Sequence, residues 1–300
     1  MSRAKASVTD ELLDAYVNRP LAAWIVRAVL PTPVTPNQLT LVSAFFGSLA
    51  GACFAVTDPA GPIAGSVALF LSMIFDCSDG QLARARGGGS VFGRILDGYA
   101  DYWVAFALHL GILIHLWRTG VVLFGYRLGN VELFFVALLA GISMGVNSGR
   151  FDYYKQRFLA HTGAIREPET PEMYRAEMKR TKSFVEQAGL ELFAAYVDVI
   201  QKGDGFRLSV EAARHTASDP ARVRRFMEEN SVLVRLWGLS GPTMHLAAMC
   251  ATGLLVRFAP DAFTYYCGFA LVGVNVYSGV LWILQRRVLR REHAAIVSAT

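Results

Sequence analysis

Long apolar stretches alternate with shorter polar stretches along most of this 300-residue chain. An α-helix needs about 20 mostly apolar residues to cross a bilayer, and six stretches meet that requirement. They lie near residues 38–57, 62–83, 95–117, 131–149, 233–256 and 262–285. The pattern predicts an all-α membrane protein with six transmembrane helices.

The residues before the first span repeat apolar side chains at helical spacing. Over residues 9–30 these positions alternate with charged ones, and Pro31, Pro33 and Pro36 then interrupt the helix. We expect an amphipathic interfacial helix that lies on the membrane surface. Packing against a cytosolic part of the same chain is the alternative.

Residues 150–232 differ from the rest because they carry many charges of both signs and contain helical stretches. We expect a helical cytosolic insert between spans four and five, which either covers the active site or serves as a spacer. Four parts are therefore predicted: a juxtamembrane segment (1–36), spans one to four (37–149), the insert (150–232), and spans five and six with a basic C-terminal tail (233–300).

Basic residues are concentrated on one side of the predicted spans. They precede the first span, lie between the second and third, and follow the last, whereas the opposite side has fewer. By the positive-inside rule we expect both termini in the cytoplasm. The net charge of +5 fits such loops. No basic stripe interleaves with aromatic residues, so membrane lipids are expected as surroundings and nucleic acid is not expected as a partner.

Four aspartates occur within the stretch DCSDGQLARARGGGSVFGRILDGYAD, residues 76–101. Asp76 and Asp79 lie at the end of span two, and Asp97 and Asp101 lie at the start of span three. Spacings of three and four place each pair on one helix face. The glycine run at 87–89 turns the chain, so the two helices are predicted to be antiparallel with their carboxylate faces meeting.

Carboxylates at the edge of a membrane cost a few kcal/mol each on insertion scales. Grouping them adds repulsion, so we expect a positive charge among them. Oxygen ligands suit magnesium, manganese or calcium, and two metals held by shared carboxylates are the usual arrangement for phosphoryl chemistry. Alternatively, the aspartates would only cap helix ends or pair with arginines. That explanation suits a single aspartate better than it suits all four.

The neighbouring residues fit a phosphate-bearing ligand. Gly80 and Ala83 remove side-chain bulk, and Gly93 keeps one face of the next helix open. Arg84 can bind a phosphate through two hydrogen bonds. Ser90 offers a hydroxyl in the loop.

The spacing D-x-x-D-G-x-x-A-R, eight residues, then G-x-x-x-D-x-x-x-D resembles the signature of the CDP-alcohol phosphotransferase family. All eight signature residues are present: Asp76, Asp79, Gly80, Ala83, Arg84, Gly93, Asp97 and Asp101. The segment TPNQLT, Thr35 to Thr40, resembles the start of the first span in many members. The motif covers under a tenth of the chain but is highly specific.

The resemblance implies a homodimer with a polar cavity at the cytoplasmic face and a two-metal site for Mg²⁺ or Mn²⁺. Asp76, Asp79 and Asp97 would hold the metals, with Asp101 near the second metal and acting also as general base. The implied contacts to the CDP part are Gly80, Ala83, Arg84, Ser90, Asn37 and Thr40.

The implied activity is metal-dependent transfer of a substituted phosphate group from a CDP-alcohol, such as CDP-diacylglycerol, to an acceptor hydroxyl. CMP would be released, in a step of phospholipid biosynthesis. An alternative is transfer of a CDP-linked head group, of the aminoalcohol or inositol type, to a lipid or inositol phosphate acceptor.

Two hypotheses from other classes are a divalent-cation transporter and a non-catalytic scaffold. A transporter would need acidic groups deep in several spans, whereas these four share one membrane face. A scaffold would have lost a metal-binding aspartate, and none is lost.

A cluster of basic and aromatic residues follows span four: Arg150, Tyr154, Lys155 and Arg157. These residues would either bind an acceptor phosphate or simply anchor the span at the cytoplasmic side.

Overall fold

The computed structural model describes residues 8–89, 91–123, 125–165, 171–181, 183–203 and 210–297. Within these ranges the α-helices are α1 (Arg19–Val29), α2 (Pro36–Phe54), α3 (Ala60–Ala85), α4 (Val91–Thr119), α5 (Asn130–His161), α6 (Pro171–Met178), α7 (Phe184–Gly203), α8 (Val210–Ala217), α9 (Pro220–Trp237), α10 (Pro242–Leu255), α11 (Ala262–Gly268) and α12 (Val274–Val297). The helical class predicted from the hydrophobic pattern is confirmed.

Shorter elements connect some of these helices. A turn of π-helix, Asp14–Asn18, precedes α1, and another, Phe269–Gly273, joins α11 to α12. A 3₁₀ turn, Gly238–Ser240, follows α9. A two-stranded antiparallel hairpin, β1 (Val122–Leu123) and β2 (Tyr126–Arg127), follows α4, and the hydrophobic pattern did not predict it.

Five helical stretches among the described residues are long and apolar enough to cross a membrane. They are Pro36–Phe54, Ala60–Ala85, Gly93–Thr119, Asn130–His161 and Ala262–Arg290. The last includes α11, the π-turn and most of α12. The protein is therefore a multi-pass integral membrane protein, as the hydrophobic pattern predicted.

The stretch 233–256, predicted as the fifth span, is not one continuous helix. Gly238 and Ser240 bound a 3₁₀ turn, Gly241 is extended, and Pro242 starts α10. Proline has no N–H to donate to the preceding turn and its ring clashes there, so the helix restarts. A crossing by α10, which has 14 residues, stays a prediction, and so does the total of six spans.

The segment before α2 is helical, in agreement with its periodicity. α1 buries Ala22 and Val26, while Tyr16 and Trp24 are 78% and 69% exposed. The guanidinium of Arg27 lies 5.5 Å from the centre of the Trp24 ring. This helix therefore has an apolar outer face, and its position on a membrane surface stays a prediction.

The chain forms two compact units, which we describe separately. The aspartate unit comprises Leu13–Gly145 and Pro242–Gly273. The second unit comprises Met1–Leu12, Val146–Gly241 and Val274–Thr300. The four-part division by membrane topology given above stays a prediction.

The second unit has an aromatic core. Tyr154 stacks on Trp237 with ring centres 4.8 Å apart, and Phe151 and Leu281 belong to the same cluster. Aromatic pairs of this kind contribute beyond the area they bury.

In the aspartate unit, α2 packs antiparallel against α3. Two serines bridge them: Ser43 Oγ donates to the Ser72 carbonyl at 3.0 Å, and Ser72 Oγ donates to the Ser43 carbonyl at 2.9 Å. All four groups are buried in helices that cross the membrane, where polar groups need internal partners. The reciprocal pair therefore holds the register between α2 and α3.

The same helix α2 packs in parallel against α4 and approaches it closely at glycines. A Cβ added at Gly47 would collide with Val104, and a Cβ added at Gly111 would collide with the carbonyl oxygen of Gly51. Membrane helices often approach through such small residues. The glycines therefore set the distance between α2 and α4.

We expect Gly111→Ala to destabilise the protein, because its new methyl group meets backbone that has no free rotation to relieve the contact. Overpacking of this kind costs about 1–3 kcal/mol. Thermal unfolding of detergent-purified protein measures the effect. Gly268→Ala in α11 is the matched control, since a Cβ there meets nothing within 4 Å. Equal melting temperatures for the two variants would contradict the close approach.

Candidate active site

The four aspartates come from two helices that flank α2. Asp76 and Asp79 lie near the C-terminal end of α3, and Asp97 and Asp101 lie in the first turns of α4. Because α2 is antiparallel to α3 and parallel to α4, the two aspartate-bearing helices run in opposite directions. This is the arrangement that the glycine loop predicted.

Three of the carboxylates come together. Asp76, Asp97 and Asp101 each place one carboxylate oxygen so that the three oxygens lie within 4.8 Å of one another. Three negatively charged oxygens at this separation repel strongly where water is scarce, and a hard divalent cation with oxygen ligands relieves that repulsion. The donor set therefore fits a divalent metal such as magnesium or manganese.

Asp79 lies outside this close trio, although its charge interacts with that of Asp97. It is buried, and one of its oxygens accepts a hydrogen bond from Thr40 Oγ1 at 2.5 Å. The trio thus comprises three of the four aspartates that the family resemblance implied at the metal site. The assignment of metal ligands among the four stays a prediction.

Three of the residues expected at the CDP part, Gly80, Ala83 and Arg84, follow Asp79 directly in α3. An added Cβ at Gly80 would lie 3.3 Å from a guanidinium nitrogen of Arg84, so the arginine lies over the glycine. Arg84 is exposed and Ala83 is half-buried. The missing side chain at Gly80 leaves space beside a cation, which suits a phosphate.

The first turn of α2 carries Asn37 and Thr40. It begins at Thr35 in a capping box, in which Thr35 and Gln38 exchange side-chain-to-backbone hydrogen bonds. Thr40 was expected to contact the nucleotide, and in this structure its hydroxyl donates to Asp79. Ser90, the remaining expected contact, lies outside the described residues.

Arg86, the residue that directly follows α3, has a structural role. Its guanidinium donates to four backbone carbonyls at and after the end of α1, namely those of Val29, Leu30, Thr32 and Val34, at 2.6–3.4 Å. Carbonyls at the end of a helix have no partner within that helix. Arg86 therefore fastens the end of α1 to the aspartate-bearing helix.

Sequence reasoning missed a fifth carboxylate near this site. Asp14 was assigned only to the amphipathic pattern, yet its Oδ1 lies 3.8 Å from Cys77 Sγ, and its Oδ2 accepts from Thr243 Oγ1 at 3.0 Å. The 63-residue separation of Asp14 from Cys77 gives no local signal that they meet. The π-turn that begins at Asp14 was not predictable from periodicity either.

The basic cluster after span four belongs to the second unit. Arg157 is buried, donates to Asn230 Oδ1 at 3.2 Å and lies over the Phe226 ring. Tyr154 stacks in the aromatic core. These two side chains therefore contribute to packing, and their assignment to an acceptor stays a prediction.

Residues 33–165 match the family model "CDP-alcohol phosphatidyltransferase". The chain is 33% identical over 162 residues to the phosphatidylinositol phosphate synthase of Mycobacteroides abscessus. The aligned region covers 52% of this chain and 64% of the relative. It is 39% identical over 77 residues to the phosphatidylinositol phosphate synthase of Corynebacterium glutamicum, covering 26% of this chain and 34% of the relative.

A relative with another name is also similar. The "Bifunctional IPC transferase and DIPP synthase" of Aquifex aeolicus is 30% identical over 106 residues, covering 34% of this chain and 24% of the relative. The chain spans less than two thirds of the length of these curated relatives. The region of residues 33–165, which contains all four aspartates, is a CDP-alcohol phosphatidyltransferase domain.

Proposed function

We propose that this protein transfers a substituted phosphate group from a CDP-alcohol to the hydroxyl of an acceptor, with release of CMP. The observation that carries the proposal is the convergence of Asp76, Asp97 and Asp101 inside the matched domain. A transporter would need acidic groups along a path through several spans, whereas these carboxylates gather at the ends of two helices.

Magnesium or manganese is the proposed cofactor, at a two-metal site. Asp76, Asp97 and Asp101 would hold the cations with Asp79 beside them, which fits the preference of both metals for carboxylate oxygens. When bound, the metals would supply positive charge that stabilises the diphosphate and the departing phosphate.

The residues of the chain then have separate tasks. Arg84 would bind a donor phosphate above Gly80, where no side chain obstructs it. Asp101 would accept the proton of the acceptor hydroxyl. The acceptor oxygen forms a bond to the phosphorus on the alcohol side, and the bond from that phosphorus to CMP breaks.

We expect Asp101→Asn and Asp76→Asn to lower metal-dependent CMP release from a CDP-alcohol by about 100-fold or more, because general-base catalysis alone contributes 10²–10⁴-fold. The assay follows CMP from purified protein with and without Mn²⁺. Asp261→Asn is the control, since this exposed residue makes no side-chain cap to α11. Turnover at the wild-type rate in both Asp101→Asn and Asp76→Asn would contradict the proposed mechanism.

For the substrates we propose CDP-diacylglycerol as donor and an inositol phosphate as acceptor. The support is the name of the relatives, phosphatidylinositol phosphate synthase. Joining the phosphatidyl group of CDP-diacylglycerol to a hydroxyl of inositol phosphate would give such a lipid and CMP. The alternative is a CDP-linked head group as donor, which the match to the bifunctional relative keeps open.

An acceptor screen separates these two reactions. With CDP-diacylglycerol as donor, we expect inositol phosphate to give CMP and a lipid of the corresponding mass, while glycerol phosphate, serine and free inositol give neither. Mass spectrometry of the lipid extract identifies the product. A product formed only when a CDP-linked head group is the donor would favour the alternative.

We further propose that both termini and the aspartate site face the cytoplasm and that the protein is a homodimer. The orientation is supported by the basic residues around the α3–α4 loop, and the dimer by the family resemblance alone. Two exposed aromatic side chains, Tyr16 in the π-turn and Trp24 in α1, support the position of this segment on the membrane surface.

Phosphatase fusions in a bacterial host test the orientation. Alkaline phosphatase joined after Gly125, in the hairpin between α4 and α5, should be active because it reaches the periplasm. The same enzyme joined after Gly88, in the α3–α4 loop, should be inactive. The reverse result would place the aspartates on the outer face.

A further inference from the structure

Asp14 connects three parts of the aspartate unit. It begins the π-turn before α1, and its Oδ1 accepts from Asn18 Nδ2 at 2.7 Å and lies 3.8 Å from Cys77 Sγ in α3. Its Oδ2 accepts from Thr243 Oγ1 in α10 at 3.0 Å. One carboxylate therefore holds α3, α10 and the start of α1 together.

This junction lies at the level of the proposed cation site. Cys77 directly follows Asp76, a member of the close trio, and Asp14 is near enough to Asp76 for their negative charges to interact. Asn18 and Thr243 are 1% and 7% exposed. Hydrogen bonds shielded from water in this way are stronger than exposed ones and hold their groups more rigidly.

Docking of the N-terminal helix does not explain why a carboxylate lies here. The helix is already fastened by Gln81, whose side chain donates to the Arg19 carbonyl at 3.0 Å, and by Arg86 at its far end. A partly buried charge beside other carboxylates is costly, and π-turns occur frequently at functional sites. The charge and the turn both indicate a role in the site itself.

Asp14 is not placed as a ligand of the cation. Its two oxygens accept hydrogen bonds from Asn18 and from Thr243. Neither oxygen belongs to the group that Asp76, Asp97 and Asp101 form within 4.8 Å of one another. The carboxylate is therefore better suited to act on the site through Asp76, by its charge and by holding the turn that carries this residue.

We propose that Asp14, Asn18 and Thr243 form a brace that positions Asp76 and sets the affinity of the site for divalent cations. We call these three residues the Asp14 brace. The inference rests on the proposed metal-dependent function, and Asp14 acts in it as a positioning residue rather than a catalytic one.

The test measures Mn²⁺ binding directly, from the electron paramagnetic resonance signal of free Mn²⁺ over purified full-length protein. Thr243→Val keeps the side-chain volume but removes the donor to Asp14, and Asp14→Asn removes the charge. We expect both to weaken Mn²⁺ binding by about tenfold, the lower end of the range for groups that support metal ligands. The rate of CMP release at saturating Mn²⁺ should stay within about threefold of wild type, because no reacting group is altered.

Two matched variants show whether the effect is specific. Thr243→Ser keeps the hydroxyl, and Asp58→Asn removes one charge from the exposed loop before α3, about 25 Å along that helix from Cys77. Both should bind Mn²⁺ within about twofold of wild type. Equal weakening by Thr243→Ser and Thr243→Val would reduce the brace to ordinary packing and overturn the proposal.

The remaining outcomes separate this inference from the proposed function. Unchanged Mn²⁺ affinity in Thr243→Val and Asp14→Asn, with CMP release intact, would refute the brace alone. Wild-type protein that binds Mn²⁺ with the expected pattern but releases no CMP would refute the proposed reaction and leave the brace standing. Wild-type protein that binds no Mn²⁺ would refute both.

Discussion

Mutual repulsion among carboxylates is the interaction that the surrounding helices must counter. Asp76, Asp97 and Asp101 hold three oxygens within 4.8 Å at the ends of membrane-crossing helices, where charges are poorly screened. A loosely packed pair of helices would move apart under that force. The supports are α2, which packs against both helices, and the hydrogen bond from Thr40 to the fourth carboxylate, Asp79.

Close helix packing then becomes a requirement of the chemistry. Gly51 and Gly111 let α2 and α4 approach until backbone meets backbone, while Ser43 and Ser72 hold α2 against α3. Together these contacts fix how far the aspartates of α3 stand from those of α4. A displacement of about 1 Å between reacting groups can lower the rate about 100-fold. Gly51 and Gly111 therefore influence the active site, although neither residue has a reactive side chain.

Several elements could be predicted from the chain, and the failures have physical causes. Apolar runs of this length predicted the long membrane helices because a helix satisfies its backbone polar groups within the same segment in lipid. The same runs did not indicate the interruption within 233–256, since average hydrophobicity does not register the break that Gly241 and Pro242 introduce. Aspartate spacing predicted the meeting of α3 with α4, but not that the oxygens of Asp76, Asp97 and Asp101 would lie close together while Asp79 accepts a hydrogen bond from Thr40.

The sequence by itself determined the membrane class, the two helix faces that carry the aspartates and the family of the domain, because these depend on composition and on spacings within 26 residues. Only the tertiary structure decided which carboxylates cluster and what supports them. Thr40 lies 39 residues from Asp79, and Asp14 lies 229 residues from Thr243. Contacts over such separations follow from the packing of whole helices, which no local pattern in the chain encodes.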